Sequence, residues 1–118
     1  MITVRIYRNK SKEITSFEMT GHADYAPHGQ DLVCAAASAV SIGTINAIEK
    51  LCHITPDVSM RDEGGYLALN VSRDGLEPDT YSSIQLLLEG MIVSLESIQE
   101  GYGEYITILK KEGGATND

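Results

Sequence analysis

The first part of the chain alternates between hydrophobic and polar positions. A period of two predicts a strand over about residues 2–8 with one buried face, and a polar turn then leads to a second strand over about 14–21. Ile14 falls out of phase with Phe17 and Met19, so we expect a β-bulge or the start of the strand near it. The buried positions of the first strand are Ile2, Val4 and Ile6.

Two longer segments repeat their apolar positions every three or four residues, as helices do. Residues 32–51 have almost no polar face, so we predict a helix of about five turns that is buried all round. Asp31 is placed to cap this helix, because its carboxylate can accept hydrogen bonds from first-turn amides. A second helix is predicted over about 79–100, with Gly101 and Gly103 ending it. Its apolar stripe consists of Tyr81, Ile84, Leu88, Met91, Leu95 and Ile98.

Shorter alternating segments complete the chain. Strands are predicted at residues 58–60 and 67–71, and a last strand at 105–110. The order β-β-α-β-β-α-β predicts an α+β fold, with one mixed or antiparallel sheet covered by two helices. We expect a single domain over residues 1–112 and a frayed, disordered tail over 113–118.

The charge and hydropathy of the chain limit its partners. A net charge of −8 disfavours direct binding to nucleic acid, which requires basic patches over the phosphates. An acidic surface would attract a basic partner, although acidity also serves solubility alone. We count no run of about 18 apolar residues and no secretory signal, so we predict no membrane association and a cytoplasmic location.

The two cysteines, Cys34 and Cys52, are predicted to be free thiols. They fall near opposite ends of the first predicted helix, and the 18 positions between them correspond to about 27 Å. A disulfide requires the two Cα atoms to lie within about 7 Å of each other. Free thiols fit a reducing compartment.

Candidate chemistry is concentrated between residues 21 and 36. Cys34 falls at the start of the predicted helix, where the partial positive charge of the helix N-terminus favours a thiolate. His22 follows a glycine at a strand end and is a candidate base for that thiol. Alternatively, Cys34 is a small buried residue in an alanine-rich helix. We interpret His28 and His53 as incidental.

A metal site is the alternative use of the same segment. His22, His28, Asp31 and Cys34 could supply four ligands, but the tightly spaced ligand pairs of structural zinc sites are missing. The glycines do not form a phosphate loop, since the spacing GxxxxGK[ST] is also missing. We therefore expect neither a metal nor a cofactor.

The segment carries a recognisable sequence signature. The residues Gly21-His22-Ala23, followed by Gly29-x-Asp31-Leu32-Val33-Cys34-Ala35-Ala36-x-Ser38-Ala39, resemble the signature of the ribosomal-processing cysteine protease family, Prp. Two mild departures from the family pattern are Leu32, in place of a β-branched residue, and Ala37, in place of a larger aliphatic one. Neither departure affects the candidate thiol or imidazole.

This resemblance implies a bacterial cytoplasmic endopeptidase that needs no cofactor. Members remove a short N-terminal extension, which ends in consecutive phenylalanines, from a basic large-subunit ribosomal protein, and they form homodimers. Carried over to this chain, Cys34 is the nucleophile and His22 the general base, residues 23–30 are a lid, and first-turn amides including that of Cys34 bind the oxyanion. The predicted substrate-binding residues are Tyr25, Gly29, Asp31 and Ser38. The competing hypothesis is a non-catalytic ribosome-assembly or protein-interaction module.

Overall fold

A five-stranded sheet carries two long helices in the computed structural model, which describes residues 1–21, 28–61 and 65–113, without the side chains of 28–31. The predicted element order is confirmed, and the predicted boundaries agree within two residues for every element except α1. The elements are β1 (Ile2–Arg8), β2 (Ile14–Thr20), α1 (His28–Cys52), β3 (Asp57–Met60), β4 (Tyr66–Asn70), α2 (Pro78–Tyr102) and β5 (Ile106–Glu112).

The sheet is mixed. Its strand order is β3-β4-β2-β1-β5, and β1 pairs antiparallel with β2 but parallel with β5. The pairs β2–β4 and β3–β4 are antiparallel, and β3 and β5 are the two edge strands. Of the two predicted alternatives, the mixed sheet is therefore confirmed.

The hydrophobic core lies between one face of the sheet and the two helices. The predicted buried positions of β1, Ile2, Val4 and Ile6, are at most 1% exposed, and Leu88 and Leu95 of α2 are fully buried in the same cluster. On β1 and β2 the intervening side chains are half-buried and polar, and Arg5 lies 3.5 Å from Glu18 across the two strands. The sheet therefore has one face covered by the helices and one polar face, as the alternation of hydrophobic and polar residues predicted.

The predicted bulge lies in β2. Tyr7 pairs with Ser16 whereas the next residue of β1, Arg8, pairs with Ile14, so Thr15 is the extra residue. The extra residue reverses the phase of the strand, because two residues of β2 then oppose one of β1. Ile14 and Phe17 consequently both point into the core.

The first helix begins earlier than predicted. It starts at His28, so residues 28–30, which the sequence placed in a loop, are helical, and Asp31 lies inside the first turn and is not the cap. The prediction that this helix is buried all round is also wrong. Val33, Ala37, Ile45 and Ile48 face the core, but Leu32 is 49% exposed and Leu51 68% exposed.

The same helix has the length and composition of a membrane-spanning segment. The 21 residues Leu32–Cys52 meet that criterion, and 28% of the segment's apolar window is buried in this structure. The sequence count missed it because uncharged polar residues such as Ser38, Thr44 and Asn46 interrupt the apolar run. A core helix of a soluble domain meets the same criterion, and α1 buries one side against the sheet.

The second helix confirms its predicted stripe. Tyr81, Ile84, Leu88, Met91 and Leu95 are buried, and Ile98 is half-buried against the core. The helix runs to Tyr102, so Gly101 lies within it and Gly103 alone is the C-cap. Beyond β5, the amide of Gly113 donates to the carbonyl of Arg8 at 2.8 Å, which extends the pairing one residue into the predicted tail. Residues 114–118 lie outside the described residues.

Candidate active site

Cys34 lines a small pocket at one end of the sheet. Cys34 lies in the second turn of α1, is half-buried and packs against the core cluster. The pocket has a volume of about 170 Å³. Its lining residues are Ile2, Met19, Gly21, Cys34, Ser38, Ile42, Met60, Gly65, Tyr66 and Leu67.

The helix presents Cys34 in a row with two other side chains. Cys34, Ser38 and Ile42 are spaced four residues apart, so they lie one above another on the same face of α1. The neighbouring row, which includes Val33 and Ala37, is buried and fixes the rotation of the helix against the sheet. The burial of Val33 therefore aims Cys34 at the pocket.

Gly21 closes the pocket on the side of β2. Its φ of +104° lies in the region that favours glycine, and a Cβ atom at this position would overlap the carbonyl oxygen of Met1. The Gly21 amide donates to the carbonyl of Gly65 at 3.0 Å, which joins the end of β2 to the start of β4. Residue 21 is thus held between two chain segments, and it is the residue that precedes His22 in the sequence.

The structure brings together two of the predicted site residues. Cys34 and Ser38 line one pocket, one helical turn apart. His22 and Tyr25 lie outside the described residues. Gly29 and Asp31 belong to the first turn of α1. The surroundings of Gly29 and of the Asp31 side chain lie outside the described part of the structure.

The relation of Cys34 to the helix N-terminus differs from the prediction. Because α1 begins at His28, Cys34 is its seventh residue instead of its third. The effect of the helix dipole falls off within the first turn, so Cys34 lies beyond the part of the helix where that effect is strongest. The free amides of an α-helix are its first four, here those of residues 28–31, so the prediction that includes the amide of Cys34 among them is wrong.

The β3–β4 hairpin contributes to the pocket, and no sequence pattern predicted this contribution. Met60, Gly65 and Tyr66 line the pocket, and the guanidinium carbon of Arg61 lies 5.1 Å from the centre of the Tyr66 ring. Thr20 pairs with Tyr66 in the sheet, which places the hairpin beside the end of β2. Only the strand order could have revealed that the hairpin lies at the pocket, because Thr20 and Tyr66 are more than forty residues apart in the sequence.

The electrostatic perturbations of the described residues lie away from this pocket. Hydrogen bonds from Arg8 lower the pKa of Glu89, and burial raises the pKa of Tyr81, both at the opposite end of the sheet. No group of three metal-ligating side chains occurs among the described residues. Three of the four residues of the alternative metal site, His22, His28 and Asp31, have side chains outside the described part, so that alternative stays a prediction. His53 follows α1 at the end remote from Cys34.

Comparison with known proteins gives consistent matches over nearly the whole chain. Residues 1–107 match the family model described as cysteine protease Prp. The chain is 44% identical over 108 residues to the ribosomal processing cysteine protease Prp of Bacillus subtilis, with 92% of this chain and 96% of the relative covered. It is 41% identical over 109 residues to the protein of the same name from Staphylococcus aureus, with 92% and 97% covered.

A solved structure agrees with the fold. The S. aureus ribosomal processing protease Prp in complex with a substrate peptide superposes with a TM-score of 0.83 at 39% identity, covering 94% of this chain and 100% of that one. The family match and these identities confirm the resemblance noted in the sequence. The chain belongs to the cysteine protease Prp family.

Proposed function

We propose that this chain is a cysteine endopeptidase that removes a short N-terminal extension from a bacterial large-subunit ribosomal protein. The observation that carries the proposal is the pocket in which Cys34 lies beside Gly21, the residue that precedes His22. Two relatives, 44% and 41% identical to this chain, are named ribosomal processing cysteine proteases, and the structure of the S. aureus protease was solved with a substrate peptide.

In the proposed mechanism, Cys34 and His22 act as a dyad. His22 accepts the thiol proton as the Cys34 sulfur attacks the scissile carbonyl carbon. The C–N bond then breaks, and His22 returns the proton to the leaving amine, which leaves the N-terminal fragment as a thioester on Cys34. Water, deprotonated by the same imidazole, hydrolyses the thioester and frees the thiol. The free amides nearest to the thiol, those of residues 28–31, are the proposed oxyanion donors.

The pocket suits an aromatic side chain of the substrate. Its walls combine the apolar residues Ile2, Met19 and Leu67 with the ring of Tyr66, and large apolar walls with few polar groups favour aromatic ligands. Ser38 lies one turn after Cys34 on the same wall and is proposed to contact the substrate backbone. The proposal assigns Tyr25, Gly29 and Asp31 to substrate binding through their places in the signature. Because residues 28–30 belong to α1, the proposed lid is reduced from residues 23–30 to residues 23–27.

The proposal includes a cytoplasmic homodimer. Two observations support it. Cys34 and Cys52 are both free thiols, as a reducing compartment requires. The helix α1 leaves Leu32 and Ile42 49% and 38% exposed, which is apolar surface that a second copy can cover.

The proposal is tested by incubation with the ribosomal protein that carries its extension, followed by mass analysis of the products. We expect one internal cut with the wild-type chain and none with Cys34→Ala or His22→Ala. Cys52→Ala is the matched control, since it removes the other half-buried thiol, and it should cleave normally. Unimpaired cleavage by Cys34→Ala would overturn the proposal and favour the non-catalytic alternative.

A further inference from the structure

A groove separate from the Cys34 pocket lies at the C-terminal end of α1. Its volume is about 310 Å³, and it opens between α1, α2 and the β3–β4 hairpin. The fully buried side chains Ile48, Leu69 and Ile84 form its floor. Asp57 and Asp74, both exposed, lie at its rim. We call it the Asp57–Asp74 groove.

The rim carries negative charge that the described part of the chain does not neutralise. Among the described residues, neither Asp57 nor Asp74 has an ion pair, and no cation lines the groove. The neighbouring cation, Arg73, is engaged elsewhere: its guanidinium lies 2.6 Å from Glu13 and 4.7 Å from the Tyr81 ring. An apolar floor under two unpaired carboxylates is complementary to an apolar side chain flanked by cationic ones.

The groove and the Cys34 pocket lie along the same edge of the sheet. The edge strand β3 begins with Asp57 at the groove and ends with Met60 at the Cys34 pocket, about 10 Å further along. Along α1, Cys34 and Ile48 are separated by about 21 Å. An extended peptide of roughly four to seven residues therefore spans the two sites. An edge strand also offers outward-facing backbone groups with which such a peptide can pair.

We propose that the Asp57–Asp74 groove is an exosite for a cationic segment of the protein substrate that carries an apolar side chain. The groove binds this segment while the scissile bond, four to seven residues away, lies at Cys34. This inference rests on the proposed function for the identity of the substrate. The attraction of the groove for a cationic peptide rests on the structure alone.

The first experiment measures binding without cleavage. Isothermal titration of the full chain with the peptide acetyl-Lys-Arg-Leu-Arg-Lys-amide, at low salt, compares the wild type with the double variant Asp57→Asn/Asp74→Asn. Loss of two partly exposed charge pairs should weaken binding roughly five- to twentyfold. The control, Glu100→Gln/Glu104→Gln, removes the same charge from exposed sites near the opposite edge strand and should bind as the wild type does. No binding to the wild type, or equal weakening in both double variants, would overturn the proposal.

The second experiment separates the exosite from the protease activity. We expect Asp57→Asn/Asp74→Asn to raise the KM for the extended ribosomal protein with kcat unchanged, and to leave the KM of a short, uncharged extension peptide unchanged. If the wild type cleaves the protein and Asp57→Asn/Asp74→Asn does not change the KM, the exosite proposal is refuted and the proposed protease function is retained. If the wild type cleaves nothing but its peptide binding depends on the rim, the proposed function fails and the groove is still a cationic-peptide site.

Discussion

Gly21 packs against the backbone of Met1 so closely that a Cβ atom at residue 21 would overlap the Met1 carbonyl oxygen. The contact lies at the rim of the Cys34 pocket, and the φ of +104° at Gly21 adds a second reason for glycine. We predict that Gly21→Ala lowers the free energy of unfolding by about 2–4 kcal/mol, because the backbone must shift to admit the methyl group. Urea unfolding followed by circular dichroism measures the change.

The matched control is Gly43→Ala in α1. No atom lies within 4 Å of a Cβ built at Gly43, and the residue is exposed within a helix. Alanine there should stabilise the chain by about 0.5–1 kcal/mol. If both substitutions left the unfolding midpoint unchanged, the close approach of Gly21 and Met1 would be refuted.

Gln85 joins α2 to the bulged start of β2. Its side-chain carbonyl accepts from the Ile14 amide at 2.8 Å, and its side-chain NH₂ donates to the Ile14 carbonyl at 2.9 Å. We expect Gln85→Ala to cost about 2–3 kcal/mol, since two backbone groups lose their partners at once. Gln85→Glu keeps the acceptor but not the donor, so its cost should be intermediate. Ser83→Ala, on the exposed face of the same helix, should change stability little, and equal costs for all three would contradict this assignment.

The ion pair between Arg8 and Glu89 predicts a pH dependence of stability. Two hydrogen bonds of 2.6 and 2.8 Å from the guanidinium lower the pKa of Glu89 below its ordinary value of 4.5. A lowered carboxyl pKa stabilises the folded state above the unfolded-state pKa, and that contribution is lost as the pH falls through the folded-state pKa.

The measurement compares the wild type with Glu89→Gln from pH 7 down to pH 3. The Glu89 side chain is 44% exposed, so solvent screening limits the difference in unfolding free energy to about 1 kcal/mol near neutral pH. The difference should shrink below about pH 4.5. Glu104→Gln, which removes an exposed carboxyl far from Arg8 in the sequence, is the control variant. A difference that persisted unchanged at pH 3 would exclude the charge as its source.

The two cysteines provide an internal comparison of reactivity. Cys34 and Cys52 are both half-buried on α1, but only Cys34 lies in the candidate active site. We predict that iodoacetamide at neutral pH modifies Cys34 at least about ten times faster than Cys52, because His22 takes up the thiol proton. Peptide mapping by mass spectrometry gives both rates in one sample. His22→Ala should bring the two rates together, and equal rates in the wild type would argue against an activated thiol.

Much of the fold could be predicted from local patterns. A local pattern was enough to predict which side of an element is buried. This holds for β1, where Ile2, Val4 and Ile6 alternate with polar residues, and for the stripe of α2 from Tyr81 to Leu95. Even the bulge at Thr15 was signalled, since Ile14 broke the phase of its strand. The parallel pairing of β1 with β5 could not be predicted from the sequence. The two strands lie about a hundred residues apart, and no local pattern encodes their pairing.

The sequence indicated which residues to consider for the candidate site, but it did not indicate how the chain arranges them. The signature identified Cys34 and Ser38, which line one pocket. The start of α1 at His28 was missed because Gly29 and the preceding proline resemble loop residues, although proline is favoured near helix starts. Tyr66 was missed because its approach to Cys34 depends on the pairing of β4 with β2.

Trapping the covalent intermediate tests directly whether Cys34 is the nucleophile. A peptide that contains the extension and its cleavage site is mixed with the chain and quenched in acid within milliseconds to seconds, and the intact protein is weighed. We expect a mass increase equal to the mass of the N-terminal fragment less one water, held as a thioester and mapped to Cys34, and no increase with Cys34→Ala. Cleavage that proceeds in Cys34→Ala, or an adduct that maps to Cys52, would contradict it.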